Sequence, residues 1–178
     1  IGWGRIGHPG MPFNGMMLLP TELSLRSTKN GPRLFSLPVK ESEQLFKRVS
    51  SWSDLGIEEA NTNMQQFKDA DCLRIKTTIK LSHTTNAGLS FFSQPILNYD
   101  LNYNLINGTF YSPDDMTSMS ITADIYIDRT SVEVFIDGGA FSYSAEIRPE
   151  YNNQEGFRFF GNNITIEQLE VFSVKSIW

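Results

Sequence analysis

The sequence predicts an all-β protein, an antiparallel two-sheet β-sandwich with one short helix, and three observations carry that expectation. Ile121 to Ile147 holds three apolar alternations of period two separated by two polar breaks, the pattern of a three-stranded meander. Asp71 to Leu81 alternates in the same way, as a long half-buried strand does. One window alone has helical spacing, and no strand–helix–strand order recurs, which excludes a parallel α/β sheet.

Along the chain, Met11 to Pro20 is rich in Met, Pro and Gly, as a segment crossing between two packed bodies is, so a boundary is placed near Leu19, between residues 1–19 and a sandwich over 20–178. Glu22 to Ser27 and Arg33 to Leu37 form a hairpin around Lys29-Asn30-Gly31-Pro32, where Asn-Gly and the following Pro should stop strand pairing. Gly56 to Lys68 is the helical window, with Ile57, Ala60, Met64 and Phe67 on one stripe and Ser53 and Asp54 as caps. It should lie over one edge of the sandwich.

In Asp71 to Leu81, Leu73, Ile75, Thr77, Ile79 and Leu81 face the core against Arg74, Lys76, Thr78 and Lys80. Leu89 to Ser93 and Ile96 to Tyr103 are strands broken by Pro95, which has no amide to give a ladder and so marks an edge or bend. Phe157 to Phe160 and Ile164 to Ser173 close the sheets, and the apolar period slips between Ile166 and Leu169, which predicts a β-bulge.

Register within the meander follows from apolar matching. A turn around Asp128 to Ser131 sets Ile127 against Val132, Ile125 against Val134 and Ala123 against Ile136, and a slip of one residue would scatter them. A second turn at Asp137-Gly138 brings Phe141, Tyr143, Ala145 and Ile147 to the same face, leaving Ser142, Ser144, Glu146 and Arg148 opposite. One side should be buried and the other wet.

Composition narrows the function classes. With 40% hydrophobic and 12% aromatic residues the chain can build a full core. A net charge of -5 argues against nucleic acid, whose phosphates need clustered Lys and Arg. No apolar run reaches the roughly 18 residues of a spanning helix, so no membrane partner is expected. Cys72 is the single cysteine, which precludes an internal disulfide, and its place in an apolar-alternating strand reads as a small buried side chain. His8 and His83 are too few and too far apart to suggest a metal site, and no cofactor motif is present.

Candidate chemistry is sparse. Glycoside hydrolysis needs two carboxylates about 5 Å apart for retention or roughly 6.5–9.5 Å for inversion. Asp124 and Glu133 fall diagonally across the first meander hairpin, Glu133 opposite Tyr126, but a solvated sheet face normally carries such charges and nothing apolar is expected beside them to raise a pKa. Asp128 and Arg129 occupy a turn, where an Asp side chain accepts backbone amides. Exposed rings are the other route to a sugar, since they stack on its apolar face. Trp52, Tyr99, Tyr103, Phe110, Tyr111 and Tyr151 sit at loops or strand ends; Tyr99, Tyr103 and Tyr111 are favoured for a sugar site because Asn98, Asn102 and Asn104 accompany them. Asn107-Gly108-Thr109 and Asn163-Ile164-Thr165 match the N-glycosylation triplet.

DRTSVEVFIDGG at Asp128 to Gly139 resembles the signature hairpin of the C-terminal β-sandwich of glycoside hydrolase family 32, the invertases, inulinases and levanases. GWGR at Gly2 to Arg5 with MPFNGMMLLPTELSL at Met11 to Leu25 resembles that family's exit from its catalytic propeller, and LEVFSVKSIW at Leu169 to Trp178 its closing strand. Agreement is weakest between Val39 and Leu105, and Ile106-Asn107-Gly108 stands where the family commonly has an Asp-Arg pair after its Tyr-Asp strand.

The resemblance implies a concanavalin- or jelly-roll-like sandwich from a retaining, cofactor-free enzyme that cleaves β-fructofuranosidic bonds outside the cell or in the periplasm. The family's catalytic motifs, Asn-Asp-Pro-Asn-like, Arg-Asp-Pro and Glu-Cys, do not occur in these residues. The implied role is therefore non-catalytic: the domain covers and stabilises a propeller through Met11, Phe13, Met16, Met17 and Leu18, and without that partner it is expected to form a homodimer through the same surface. The alternative is an independent fructan-binding module that takes fructan oligosaccharides.

Overall fold

A computed structural model describes residues 3–4, 15–70, 72–113, 119–147 and 156–175. The strands are β1 (Trp3–Gly4), β2 (Met16–Met17), β3 (Thr21–Thr28), β4 (Gly31–Pro38), β5 (Phe46–Gly56), β6 (Leu73–Leu81), β7 (Asn86–Phe91), β8 (Gln94–Asp100), β9 (Leu105–Ile106), β10 (Thr109–Phe110), β11 (Ser120–Asp128), β12 (Ser131–Ile136), β13 (Phe141–Glu146), β14 (Phe157–Gly161) and β15 (Ile164–Val174). A helix, α1 (Ile57–Met64), follows β5.

Two antiparallel sheets make the sandwich. One has the order β13-β12-β11-β6-β15-β5 and the other β10-β9-β8-β7-β14, so the chain changes sheet at the β14–β15 turn, where Gly161 and Asn163 take positive φ. Ile75, Ile79, Ile125, Val134 and Val171 of the first sheet meet Leu89, Leu97, Phe157 and Phe159 of the second in one core, with Phe91 stacked on Phe157 at 4.1 Å.

The meander register is the one the apolar pattern demands: Ile127 pairs Val132, Ile125 pairs Val134, Ala123 pairs Ile136, and then Val134 pairs Tyr143. The slip in β15 is a bulge between Ile166 and Gln168. Thr77 Oγ1 donates to the Gln168 carbonyl beside it at 3.0 Å, so the break in the ladder keeps a partner. Pro95 lies in β8 beside a second register shift, between Leu89 and Ser90, as a residue without an amide requires.

Four local expectations are corrected. Ser53 and Asp54 belong to β5, and the helix begins at Ile57 behind Gly56, with no side-chain cap. Asn61 holds the helix to the sheet edge instead, donating to the Phe159 carbonyl at 3.1 Å and accepting its amide at 2.7 Å, which covers an edge strand that would otherwise be open. Pairing of β3 with β4 runs through Pro32 to Gly31, because a two-stranded sheet has a free side on which a proline costs no ladder bond. Cys72 is only half-buried, just before β6, with its Sγ donating to Asp128 Oδ1 at 3.1 Å.

The fourth correction matters most for function. The outer face of the six-stranded sheet is wet only in part: Ser142 and Ser144 of β13 are exposed as expected, but Ser131, Glu133 and Phe135 of β12 are buried, like the core-facing Val132, Val134 and Ile136. Alternation describes one strand in water, whereas this face has chain folded over it.

Candidate functional site

The covered face of β12, β11 and β6 gathers the charged residues. Arg74 on β6 is 1% exposed, an extreme position for a guanidinium. Its Nε and Nη2 donate to Asp124 at 2.8 Å each, and its Nη1 and Nη2 donate to Glu43 at 2.6 and 2.7 Å. Phe46, Tyr126 and Phe172 surround the guanidinium with ring centroids at 4.8 to 5.3 Å, so aromatic faces replace part of the lost hydration. Burial works against the Arg74 charge, but the bonds to Asp124 and Glu43 more than offset it and hold its pKa above the ordinary value. Glu43 is correspondingly held below the usual carboxylate range by the Arg74 bond.

Glu133 sits on the same face directly opposite Tyr126. Both of its carboxylate oxygens accept the Leu19 amide, at 3.0 and 3.2 Å, across 114 positions of sequence. Burial pushes the Glu133 carboxyl above its ordinary value, and the Leu19 amide offsets this only in part. The sequence expectation that nothing desolvates this carboxylate is thus corrected, since Leu19 and its neighbours lie over it.

That shift has a definite sign. A carboxyl whose folded pKa lies above the unfolded value of 4.5 binds its proton more tightly in the folded state, so its contribution to stability is full below that value and falls as pH rises through the raised pKa. Urea unfolding between pH 4 and pH 7 should therefore show Glu133→Gln gaining on the wild type as pH rises. A stability gap that does not change with pH would contradict the shift.

Asp124 and Glu133 are each engaged with another partner. Asp124 is committed to Arg74 and accepts the Tyr126 hydroxyl at 3.1 Å, while Glu133 is spent on Leu19 and buried. Asp128 acts as its turn position predicts, accepting the Arg129 amide at 2.8 Å. It also faces Cys72, whose thiol is pushed up to about 11, by burial first and by that contact second, away from reactive thiolate.

The three favoured tyrosines separate. Tyr99 and Tyr111 are 6% and 3% exposed, with ring centroids 6.4 Å apart in an edge arrangement. Tyr111 donates to Asp137 Oδ2 at 2.5 Å, and Asp137 Oδ1 takes the Thr122 amide at 2.9 Å and hydroxyl at 3.0 Å. Tyr99, Tyr111 and Asp137 line a cleft of about 160 Å³ whose other walls include Leu81, Leu101 and Ile121. Both rings are buried in the core cluster, so the expectation that they lie exposed for stacking is corrected.

Tyr103 is 71% exposed and Phe110 67% exposed, and these two rings remain open to solvent. Asp100, before Tyr103, uses Oδ1 to accept the Asn102 amide at 2.9 Å, and Asn107 Oδ1 accepts the Asn98 amide at 2.7 Å. Trp52 is half-buried against the core, and Tyr151 lies outside the described residues. His83 occupies a turn at positive φ, His8 lies outside the described residues, and among the described residues no group of three or more His, Cys, Asp and Glu could hold a metal ion.

Of the residues expected to meet a neighbouring domain, Met11 and Phe13 lie outside the described residues, Met16 and Leu18 are half-buried, and Met17 is 70% exposed. The hairpin that follows adds residues which sequence reading did not single out. Leu25 pairs Leu34, and with Leu23 they lie on one side of β3–β4 at 73%, 56% and 61% exposure. The other side carries Phe35, 7% exposed under Arg26, and Arg33, which donates to the Ser112 carbonyl at 2.7 Å. Leu23, Leu25 and Leu34 were legible as an alternation, but which side faced solvent was not.

The C-terminal model of glycosyl hydrolases family 32 matches residues 41–175. A levanase of Bacillus subtilis is 25% identical over 195 aligned positions, covering 96% of this chain and 29% of the levanase. An extracellular exo-inulinase of Aspergillus niger is 24% identical, covering 96% of this chain and 36% of the inulinase. The solved exo-inulinase of Aspergillus awamori superposes with a TM-score of 0.64 at 14% identity, over 96% of this chain and 38% of that one. The β-fructofuranosidase of Schwanniomyces occidentalis gives 0.62 at 10% identity, over 94% and 42%. The chain thus spans about a third of the length of its curated relatives, and with most of its residues inside the family match it belongs to glycosyl hydrolase family 32, of which it carries the C-terminal domain.

Proposed function

We propose that this domain is the non-catalytic accessory sandwich of a secreted, retaining fructan- or sucrose-cleaving glycosidase, and that it stabilises a catalytic β-propeller joined before it. The observation that carries the reading is the unpartnered leucine face of β3–β4 with the exposed Met17 beside the linker. Three large leucines on one side of an isolated two-stranded sheet are costly in water, and covering each is worth about 1.5–3 kcal/mol. The hairpin precedes the family match, which begins at residue 41, so a domain on its N-terminal side is well placed to cover it.

The test has two arms. Isothermal titration of the folded domain with inulin- and levan-type fructo-oligosaccharides is expected to be flat, and neither sugar polymer nor sucrose should release fructose. In a chain that also carries the propeller, Leu25→Asp with Leu34→Asp should lower the propeller's melting temperature by several degrees, each kcal/mol being worth about 2–4 °C at this size. The isolated domain should dimerise through the same leucines as its concentration rises. Saturable sugar binding abolished by Tyr103→Ala or Phe110→Ala would instead make this a carbohydrate-binding module.

A further inference from the structure

We propose that Glu133 is a positioning residue: it anchors the incoming chain at Leu19 on the outer face of the six-stranded sheet and thereby sets the orientation of the domain joined before it. This rests on the accessory-domain reading. The geometry is specific, because a carboxylate in the middle of a buried strand has both oxygens on one backbone amide two residues past β2. A backbone amide is fixed to the path of the chain in a way no flexible side chain is. Holding it fixes where the chain enters.

Three further contacts show that the anchor belongs to a mount. Val39 donates to the Pro20 carbonyl at 2.9 Å and closes the base of the β3–β4 hairpin. Directly after it, the 3₁₀ stretch Lys40–Leu45 delivers Glu43 to Arg74. On the flank, Gly139 lies so close to β4 that a Cβ there would stand 2.3 Å from the Ser36 carbonyl oxygen. The hairpin with the open leucine face is therefore pinned before its first strand by Glu133 and after its second by Arg74. A hairpin held at both feet transmits a fixed direction rather than swinging on a linker.

The groups around Glu133 leave it dedicated to this bond. By register, Tyr126 on β11 and Ser144 on β13 flank it, with Asp124 and Asp128 on β11 and Glu146 on β13 at the diagonals. The Tyr126 hydroxyl donates to Asp124, and Arg74 is taken by Asp124 and Glu43, so these two donors are engaged elsewhere.

Nitrogen-15 NMR of the 178-residue chain tests the anchor. The Leu19 amide shift should titrate with the Glu133 carboxyl in the wild type and lose that titration in Glu133→Gln, which keeps one acceptor oxygen and should keep slow exchange at Leu19. Glu133→Ala should speed Leu19 exchange at least tenfold while Ile125 and Val134 stay protected. In a chain carrying the preceding domain, the distance distribution between spin labels on the two domains should broaden in Glu133→Ala and return in Glu133→Gln. A flat Leu19 titration in the wild type overturns the anchor even if the alanine variant does not fold, and an unchanged distance distribution overturns its orienting role. Failure of the accessory reading shows separately, in sugar binding or in an inert Leu25→Asp, Leu34→Asp pair, and neither touches the Leu19 readout.

Discussion

Arg74→Ala is expected to lower the unfolding free energy by about 3–5 kcal/mol, the cost of breaking a buried ion network by removing one partner. Among the described residues the guanidinium is the cation bonded to Asp124, and the Phe46, Tyr126 and Phe172 rings would be left facing a hole as well as a stranded carboxylate. Arg74→Lys should recover part of the loss, since an ammonium keeps the charge but cannot present a fork to two carboxylates at once. Glu43→Ala should cost at most about 1 kcal/mol, because a half-exposed carboxylate is screened by water. Urea unfolding monitored by tryptophan fluorescence would rank the three. Equal losses for Arg74→Ala and Glu43→Ala would show that the network is a surface pair after all.

The second large effect is expected at Gly88. Its position in β7 opposite Asn98 looks ordinary, yet a Cβ built there would stand 1.9 Å from the Leu97 carbonyl oxygen and 2.7 Å from the Phe160 ring. No rotamer relieves a contact between Cβ and backbone, so β7 and β8 must part beside the Pro95 shift. Overpacking of this kind costs about 1–3 kcal/mol and more where backbone must move, so Gly88→Ala should lose about 3 kcal/mol or more. Gly56→Ala, whose Cβ meets nothing within 4 Å, should change stability by less than about 1 kcal/mol. Similar losses at both sites would mean that strand entropy, not the close approach, governs Gly88.

Strand registers and faces were legible in the sequence wherever one face of a strand meets the core, because a period of two leaves a single register that buries every apolar side chain. Ile125 against Val134 and the bulge before Leu169 follow from that rule alone. The family was legible for a related reason: a hairpin such as Asp128 to Gly139 must satisfy turn chemistry and two packed faces together, which leaves a distinctive string.

The covering of the second face was decided elsewhere. Arg74 and Lys76 read identically as outward charges on β6, yet one is 1% exposed and the other partly open. Glu43 pairs with both, and the difference lies in the Asp124 carboxylate and the Phe46 and Tyr126 rings gathered around Arg74. Glu133 reads as a surface carboxylate until Leu19 lies over it, and Tyr99 and Tyr111 read as available rings until the two sheets close on them. Periodicity along a strand reports what its own neighbours need from water. Which distant segment folds over a face depends on contacts between residues tens to a hundred positions apart, and those only the tertiary structure decided.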